Sequence, residues 1–257
     1  MASTSTTCAP ERAAELAESL NSVRARVTAA SRDRSPTLVA VSKLKPASDV
    51  QGCYQHGQRD FGENYVQELC DKAPVLPEDI RWHFIGTLQS NKAKTLASIP
   101  NLYAVHTLNS TKAATALNKG VPDTRATPLN VLIQVNTSGE DSKSGLPPLT
   151  TTSSSELVDL ARHVVTDCPK LHLLGLMTIG SLDASLNEGD ENKDFETLTR
   201  TRDLLQEALR GSGADGGRWG EDGKLLLSMG MSSDFEAAIH AGSAIVRVGT
   251  SIFGSRK

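Results

Sequence analysis

Apolar positions change their spacing repeatedly along the chain, and this alternation predicts the architecture. Residues 10–30 carry Leu16, Leu20, Val23 and Val27 at helical spacing behind Pro10, which suits a first turn, so an amphipathic helix is expected there. Short β-rich runs follow at 37–43, 59–62, 82–86 and 102–106, then at 129–135, 171–179, 225–229 and 244–248. Between them lie stretches of helical composition, among them 90–97, 111–117, 156–165, 195–209 and 235–241. Strand–helix alternation implies a parallel sheet covered by helices. Eight units in 257 residues predict an α/β fold, a single (β/α)8 TIM barrel with an extra N-terminal helix; such barrels typically take ~250 residues. An open doubly wound sheet is the alternative, because the run at 59–62 is weak on pattern.

Residues 1–9 are expected to form a disordered lead-in and residues 10–257 a single domain. Two polar segments, 147–155 and 211–223, read as surface insertions. The second contains a G-x-G-x-x-G spacing at Gly211, Gly213 and Gly216. It follows a helix and precedes a strand, the reverse of a dinucleotide fingerprint, so it reads as a flexible loop.

Charge and cysteine usage narrow the function classes. The chain has 27 Lys and Arg against 30 Asp and Glu, a net charge of −3. That balance argues against a nucleic-acid partner and against an acidic disordered tail. No apolar run approaches the ~18 residues of a spanning helix, so no membrane partner is expected. Cys8, Cys53, Cys70 and Cys168 form no C-x-x-C pair and have no His at zinc spacing. Reduced thiols in a reducing compartment and no metal are the expectation. The polar start lacks the apolar stretch of a secretory signal. A cytoplasmic location is expected, with a mitochondrial pool left open.

Active sites of such barrels lie at the C-terminal ends of the strands. Lys43 closes the first run and shares a face with Val39 and Val41, since side chains alternate along a strand. It is either a residue emerging into water or a desolvated amine, freed by a lowered pKa to attack a carbonyl. Lys45 is the rival amine. The loops after strands seven and eight often bind phosphate in these barrels. Here Ser228 and Gly230 lead into a helix, with Ser233 and Glu236 spaced as a capping box. Gly249 and Thr250 follow the last strand, offering close backbone approach and a hydroxyl. Arg247, on that strand, suits either the acceptor nitrogen of a bound ring or a structural carboxylate. A lysine, phosphate donors and an arginine together suggest a phosphorylated aldehyde, and pyridoxal 5′-phosphate (PLP) fits that description.

Several long segments carry a family resemblance: VAVSK at 39–43, FGENYVQE at 61–68, WHFIGTLQSNK at 82–92 and NTSGEDSKSG at 136–145. GLM at 175–177, LSMGMS at 227–232 and VRVGTSIFG at 246–254 continue it. In this order they resemble the pyridoxal phosphate homeostasis proteins, single-domain relatives of the alanine racemase N-terminal barrel. The resemblance implies that Lys43 carries PLP as an internal aldimine. It implies that Arg247 faces the pyridine nitrogen and that Ser228, Gly249 and Thr250 hold the phosphate. Asn64, Met177 and Gly230 join them as candidate cofactor-site residues. His83 is a further candidate, with a packed or hydrogen-bonded strand role as its alternative.

The function so implied is that of a vitamin B6 homeostasis protein, supplying or buffering PLP, with PLP-dependent apo-enzymes as partners. A monomer is expected rather than a stable oligomer. The alternative is a PLP-dependent racemase or aldolase using Lys43 as one base and His83 or water as the other. The racemase resemblance calls for a tyrosine as second base, and none of Tyr54, Tyr65 and Tyr103 matches it. The chain also ends seven residues after Thr250, without the β-domain that covers a racemase site. A carrier without a confirmed catalytic residue is therefore expected, rather than an enzyme.

Overall fold

The eight β-rich runs pair in chain order and close on themselves. The computed structural model describes residues 6–31, 36–140, 142–181, 192–211 and 218–255. The strands are β1 (Thr37–Val41), β2 (Asp60–Glu63), β3 (Arg81–Phe84), β4 (Leu102–Leu108), β5 (Leu129–Gln134), β6 (Leu171–Met177), β7 (Leu226–Ser228) and β8 (Ile245–Val248). The described helices are α1 (Pro10–Ala30), α2 (Ala47–Gln55), α3 (Val66–Lys72), α4 (Ala93–Ala97), α5 (Thr111–Gly120), α6 (Glu156–Asp167), α7 (Lys193–Gly211), α8 (Phe235–His240) and α9 (Thr250–Phe253). Every neighbouring strand pair is parallel, and β8 returns to β1 with Thr37 opposite Ile245 and Ala40 opposite Val248. The open-sheet alternative is thereby excluded. The weak run at 59–62 is a true strand, buried over its whole length.

Alternation along the strands sorts side chains into two layers. Val39, Ala104, Leu132, Leu174, Met177 and Ile245 form a small apolar cluster inside the barrel. Their neighbours in sequence, such as Ala40, Val105, Leu173 and Val246, point out into the larger core beneath the helices. α1 joins that outer core through Leu16, Leu20, Val23 and Val27, the positions its spacing predicts. It is tied down at both ends. Arg12 bonds Asp49 Oδ2 and the Phe253 carbonyl, both at 2.8 Å, and Arg26 pairs with Glu236.

Three local expectations need amending. The capping box at Ser233 and Glu236 does not form: Glu236 is drawn to Arg26 across the fold, and the N-cap position of α8 falls on Asp234, whose Oδ1 accepts from Met231 N–H in the preceding turn at 2.6 Å rather than from the helix. Within the segment expected to be a flexible loop, residues 212–217 lie outside the described residues. The rest of it is packed: Trp219 is buried, and the Gly220 amide donates to Leu173 O at 2.8 Å. Of the expected lead-in, residues 1–5 lie outside the described residues, while Cys8 rests against the core beside Gly52. The insertion at 147–155 is pinned by buried Leu149, whose amide meets Thr201 Oγ1 at 3.3 Å. All four cysteines are free thiols. Among the described residues no helix is long and apolar enough to cross a membrane, and no His, Cys, Asp and Glu cluster could hold a metal ion.

One outward-facing strand position breaks the apolar rule. Glu63 of β2 is fully buried behind β1, where its Oε1 accepts from Lys72 Nζ at 2.6 Å and Ser42 Oγ at 2.7 Å. Burial and the neighbouring Glu68 push the Glu63 carboxyl up to about 8, against the pull of Lys72.

Two outcomes follow for stability. Leu20 has no exposed surface, so Leu20→Ala is expected to cost about 2–5 kcal/mol in urea denaturation, marking α1 as integral to the barrel. Glu63 holds its proton in the folded chain from its ordinary value of 4.5 up to about 8, whereas the unfolded chain releases it near 4.5. Its contribution is therefore present below 4.5 and lost as pH rises towards 8. Denaturation midpoints across that window should fall with pH more steeply in the wild type than in Glu63→Gln.

Candidate functional site

At the C-terminal mouth of the barrel, the ends of β1 and β8 frame a cavity of about 240 Å3. Lys43, Arg247, Gly249 and Thr250 all line it, together with Val41, Ile85, Met231, Ser232 and Ser233. β1 stops at Val41, two residues earlier than the sequence pattern suggests. Lys43 instead takes the first central position of a turn, closed by the Lys45 amide donating to Ser42 O at 3.1 Å. It keeps the cavity-facing side it shares with Val41. Leu44, at the second central position, has φ +62°, a left-handed conformation usually left to Gly or Asn. Lys45 reaches the cavity rim, where its ammonium donates to Ser255 O at 2.9 Å.

Arg247 points inward from β8 and is only 5% exposed. Its Nη1 donates to Ser228 Oγ and its Nη2 to Thr178 O, both at 2.7 Å. Burial pulls its pKa down to about 10, partly opposed by Asp234. From Ser228 a buried chain runs down through the barrel. His106 Nδ1 lies 3.0 Å from Ser228 Oγ, and His106 Nε2 lies 2.9 Å from His83 Nδ1. His83 Nε2 then lies 3.0 Å from Asp60 Oδ1, and Asp60 is paired with Arg81. Burial alone would raise the Asp60 pKa, but the Arg81 and His83 hydrogen bonds outweigh it and hold the carboxyl below its usual range. Burial, with the charges of His83 and Arg247, drives His106 well below its ordinary value. Ionised Asp60 can only accept, so His83 Nε2 donates to it. At the other end Ser228 Oγ accepts from Arg247, and the donor and acceptor roles between Ser228, His106 and His83 follow the tautomers of the two rings.

The sequence candidates thus divide into three groups. Lys43, Arg247, Gly249 and Thr250 share the cavity. Ser228 and Gly230 lie behind it: Ser228 is fully buried and its hydroxyl is committed to Arg247 and His106, so it is not on the lining. Gly230 accepts the Arg247 amide at 3.0 Å and turns at φ +92°, where an added Cβ would come within 2.5 Å of Ala238 Cβ. Asn64, His83 and Met177 are not on the cavity. Met177 is in the interior apolar cluster and His83 in the buried chain, each a layer too deep, since alternation gives the facing direction but not the depth. Asn64 lies on a separate hollow between the β2 and β3 ends, with Gly86, Gln89 and Lys92.

Two groups of residues were not foreseen. Ser232, whose Oγ accepts the Gly249 amide at 3.3 Å, and Ser233 supply the cavity hydroxyls expected of Ser228. Ser232 ends the LSMGMS segment, so the signal was present without its assignment. Asp60 and His106 complete the buried chain, and nothing in their spacing links residues on β2, β4 and β7.

The alanine racemase N-terminal domain family matches residues 14–257. A pyridoxal phosphate homeostasis protein of Schizosaccharomyces pombe is 44% identical over 237 residues, covering 92% of this chain and 91% of that one. PipY of Synechococcus elongatus, solved with PLP bound, superposes with a TM-score of 0.70 at 28% identity, over 93% of this chain and all of that one. The alanine racemase of Corynebacterium glutamicum shares the fold, with a TM-score of 0.68 at 16% identity, over 95% of this chain and 62% of that one. On this evidence the chain belongs to the alanine racemase N-terminal domain family, among its pyridoxal phosphate homeostasis proteins.

Proposed function

We propose that the chain holds PLP at Lys43 and acts as a carrier that supplies or buffers the cofactor for PLP-dependent apo-enzymes in a reducing, cytoplasmic compartment. The observation that carries this reading is the chemistry of the cavity lining. Among the described lining residues the titratable groups are Lys43, Lys45 and Arg247, all cationic. Such a lining suits a doubly charged phosphate ester and offers an amine for an aldehyde. It contains no carboxylate, imidazole, thiol or phenol to serve as a second base opposite Lys43.

When bound, PLP supplies an aldehyde carbon that a lysine amine can bond with loss of water. Lys43 Nζ is the amine offered to it. Arg247, held at two of its nitrogens by Ser228 and Thr178, would offer its remaining donors to the ring nitrogen. A guanidinium there disfavours protonation of the ring, because like charges repel, and so leaves the ring a weak electron sink. The hydroxyls of Ser232 and Thr250 would donate to the phosphate, with Ser232 held in place by the Gly249 amide. α9 starts at Thr250, and the first amides of a helix have no acceptor within it. The pyridoxal phosphate homeostasis protein of S. pombe and PLP-bound PipY support the reading by their names and by the extent of the match.

The purified chain incubated with PLP should gain visible absorbance. Borohydride reduction should fix the cofactor to the peptide containing Lys43, and Lys43→Ala should lose both signals. The loaded wild type should restore activity to a PLP-dependent apo-enzyme. Exchange of the α-proton of an amino acid, abolished by Lys43→Ala, would overturn the carrier reading in favour of an enzyme.

A further inference from the structure

The two residues that flank Lys43 are both gripped by one group of titratable side chains on β2 and α3. On the N-terminal side, Ser42 O accepts from Lys72 Nζ at 2.9 Å, and Ser42 Oγ donates to Glu63 Oε1 at 2.7 Å. On the C-terminal side, the Leu44 amide donates to both carboxylate oxygens of Glu68, at 2.9 and 3.1 Å. The two grips are joined, since Lys72 bonds Glu63 at 2.6 Å and lies 3.8 Å from Glu68. None of Glu63, Glu68 and Lys72 lines the cavity.

Such an arrangement does more than local turn chemistry requires. The turn is already closed by the Lys45 amide on Ser42 O. Leu44, however, is held at φ +62° with its side chain 56% exposed, so no packing of the leucine itself compensates the strained backbone. A left-handed non-glycine residue costs about 1–3 kcal/mol and persists only where its surroundings impose it. The imposing contact is the Glu68 carboxylate on the Leu44 amide. Relaxation of Leu44 to an ordinary φ would rotate the Lys43–Leu44 peptide and with it the direction of the lysine.

We propose that Glu68, backed by the Glu63–Lys72 pair, is a positioning residue for Lys43: it holds the strained turn that aims the lysine into the cavity, without touching the cofactor. The function of that aim rests on the reading of Lys43 as the PLP-bearing amine. Glu68→Gln keeps an acceptor oxygen for the Leu44 amide, whereas Glu68→Ala removes it.

The test uses the full chain, with and without PLP. Hydrogen exchange at the Leu44 amide in the cofactor-free chain should accelerate about 10- to 100-fold in Glu68→Ala, the range for losing a bond to a charged acceptor. The PLP concentration at half-saturation should rise by a similar factor, and borohydride labelling of Lys43 should fall. Glu68→Gln should restore most of both, and Gln67→Ala, an exposed change on the same helix, should alter neither. Glu63→Gln/Lys72→Met, which removes the buried pair without stranding one charge, should loosen the turn in the same direction. Unchanged Leu44 exchange in a folded Glu68→Ala chain, or faster exchange with unaltered PLP affinity, would overturn the proposal. If the wild type takes up no PLP, the carrier reading fails, and the exchange result alone still decides whether Glu68 holds the turn.

Discussion

A cationic side chain buried inside the barrel sets the terms for everything around it. Arg247 is almost wholly removed from water, and an isolated charge there would cost several kcal/mol. The barrel answers with a buried chain of hydrogen bonds through Ser228, His106 and His83 to Asp60. Removing one link would leave a buried polar group unpaired. This polar chain shares the interior with an apolar cluster of six buried residues. The chain ends at the opposite mouth, where Arg81 meets Asp60, while the carboxylate whose charge acts on Arg247 is Asp234.

Strand alternation turns Arg247 inward on β8 and Glu63 outward on β2, and the turn after β1 carries Lys43 to the cavity while Ser42 bonds Glu63. Two polar systems result, separated by the wall of the sheet. The inner one orients the arginine; the outer one, made of Ser42, Glu63, Lys72 and Glu68, grips the turn that carries the lysine. Lys43 and Arg247 come together because β8 pairs with β1 and closes the ring. A barrel open at that seam would separate the two groups that the cavity depends on.

Much of the fold was legible because it rests on local periodicity. All eight strands fall where the β-rich runs lie, and α1 buries the four residues its spacing singles out. The site was legible in part. Lys43, Arg247, Gly249 and Thr250 stand at strand ends, and strand ends are readable. His83, Met177 and Ser228 are also near strand ends and face inward, but each belongs to the row beneath. Met177 is level with Ser228, and Ser228 with Ile245, two residues short of Arg247. That level is set by the stagger between strands, which includes register shifts at β3–β4, β4–β5 and β5–β6. Glu236 shows the same limit at a helix end, since an adequate capping spacing lost to an arginine 210 positions away in sequence.

By itself, then, the sequence determined the number and order of the units, their parallel arrangement, the family, and the lysine and arginine of the cavity. These follow from spacing and from motifs contained in single segments. Tertiary structure alone decided which hydroxyls reach the cavity, which histidines are sealed beneath it, and which carboxylate grips the turn at Lys43. Those outcomes depend on contacts between residues far apart in the chain, made only when eight staggered strands close into one ring.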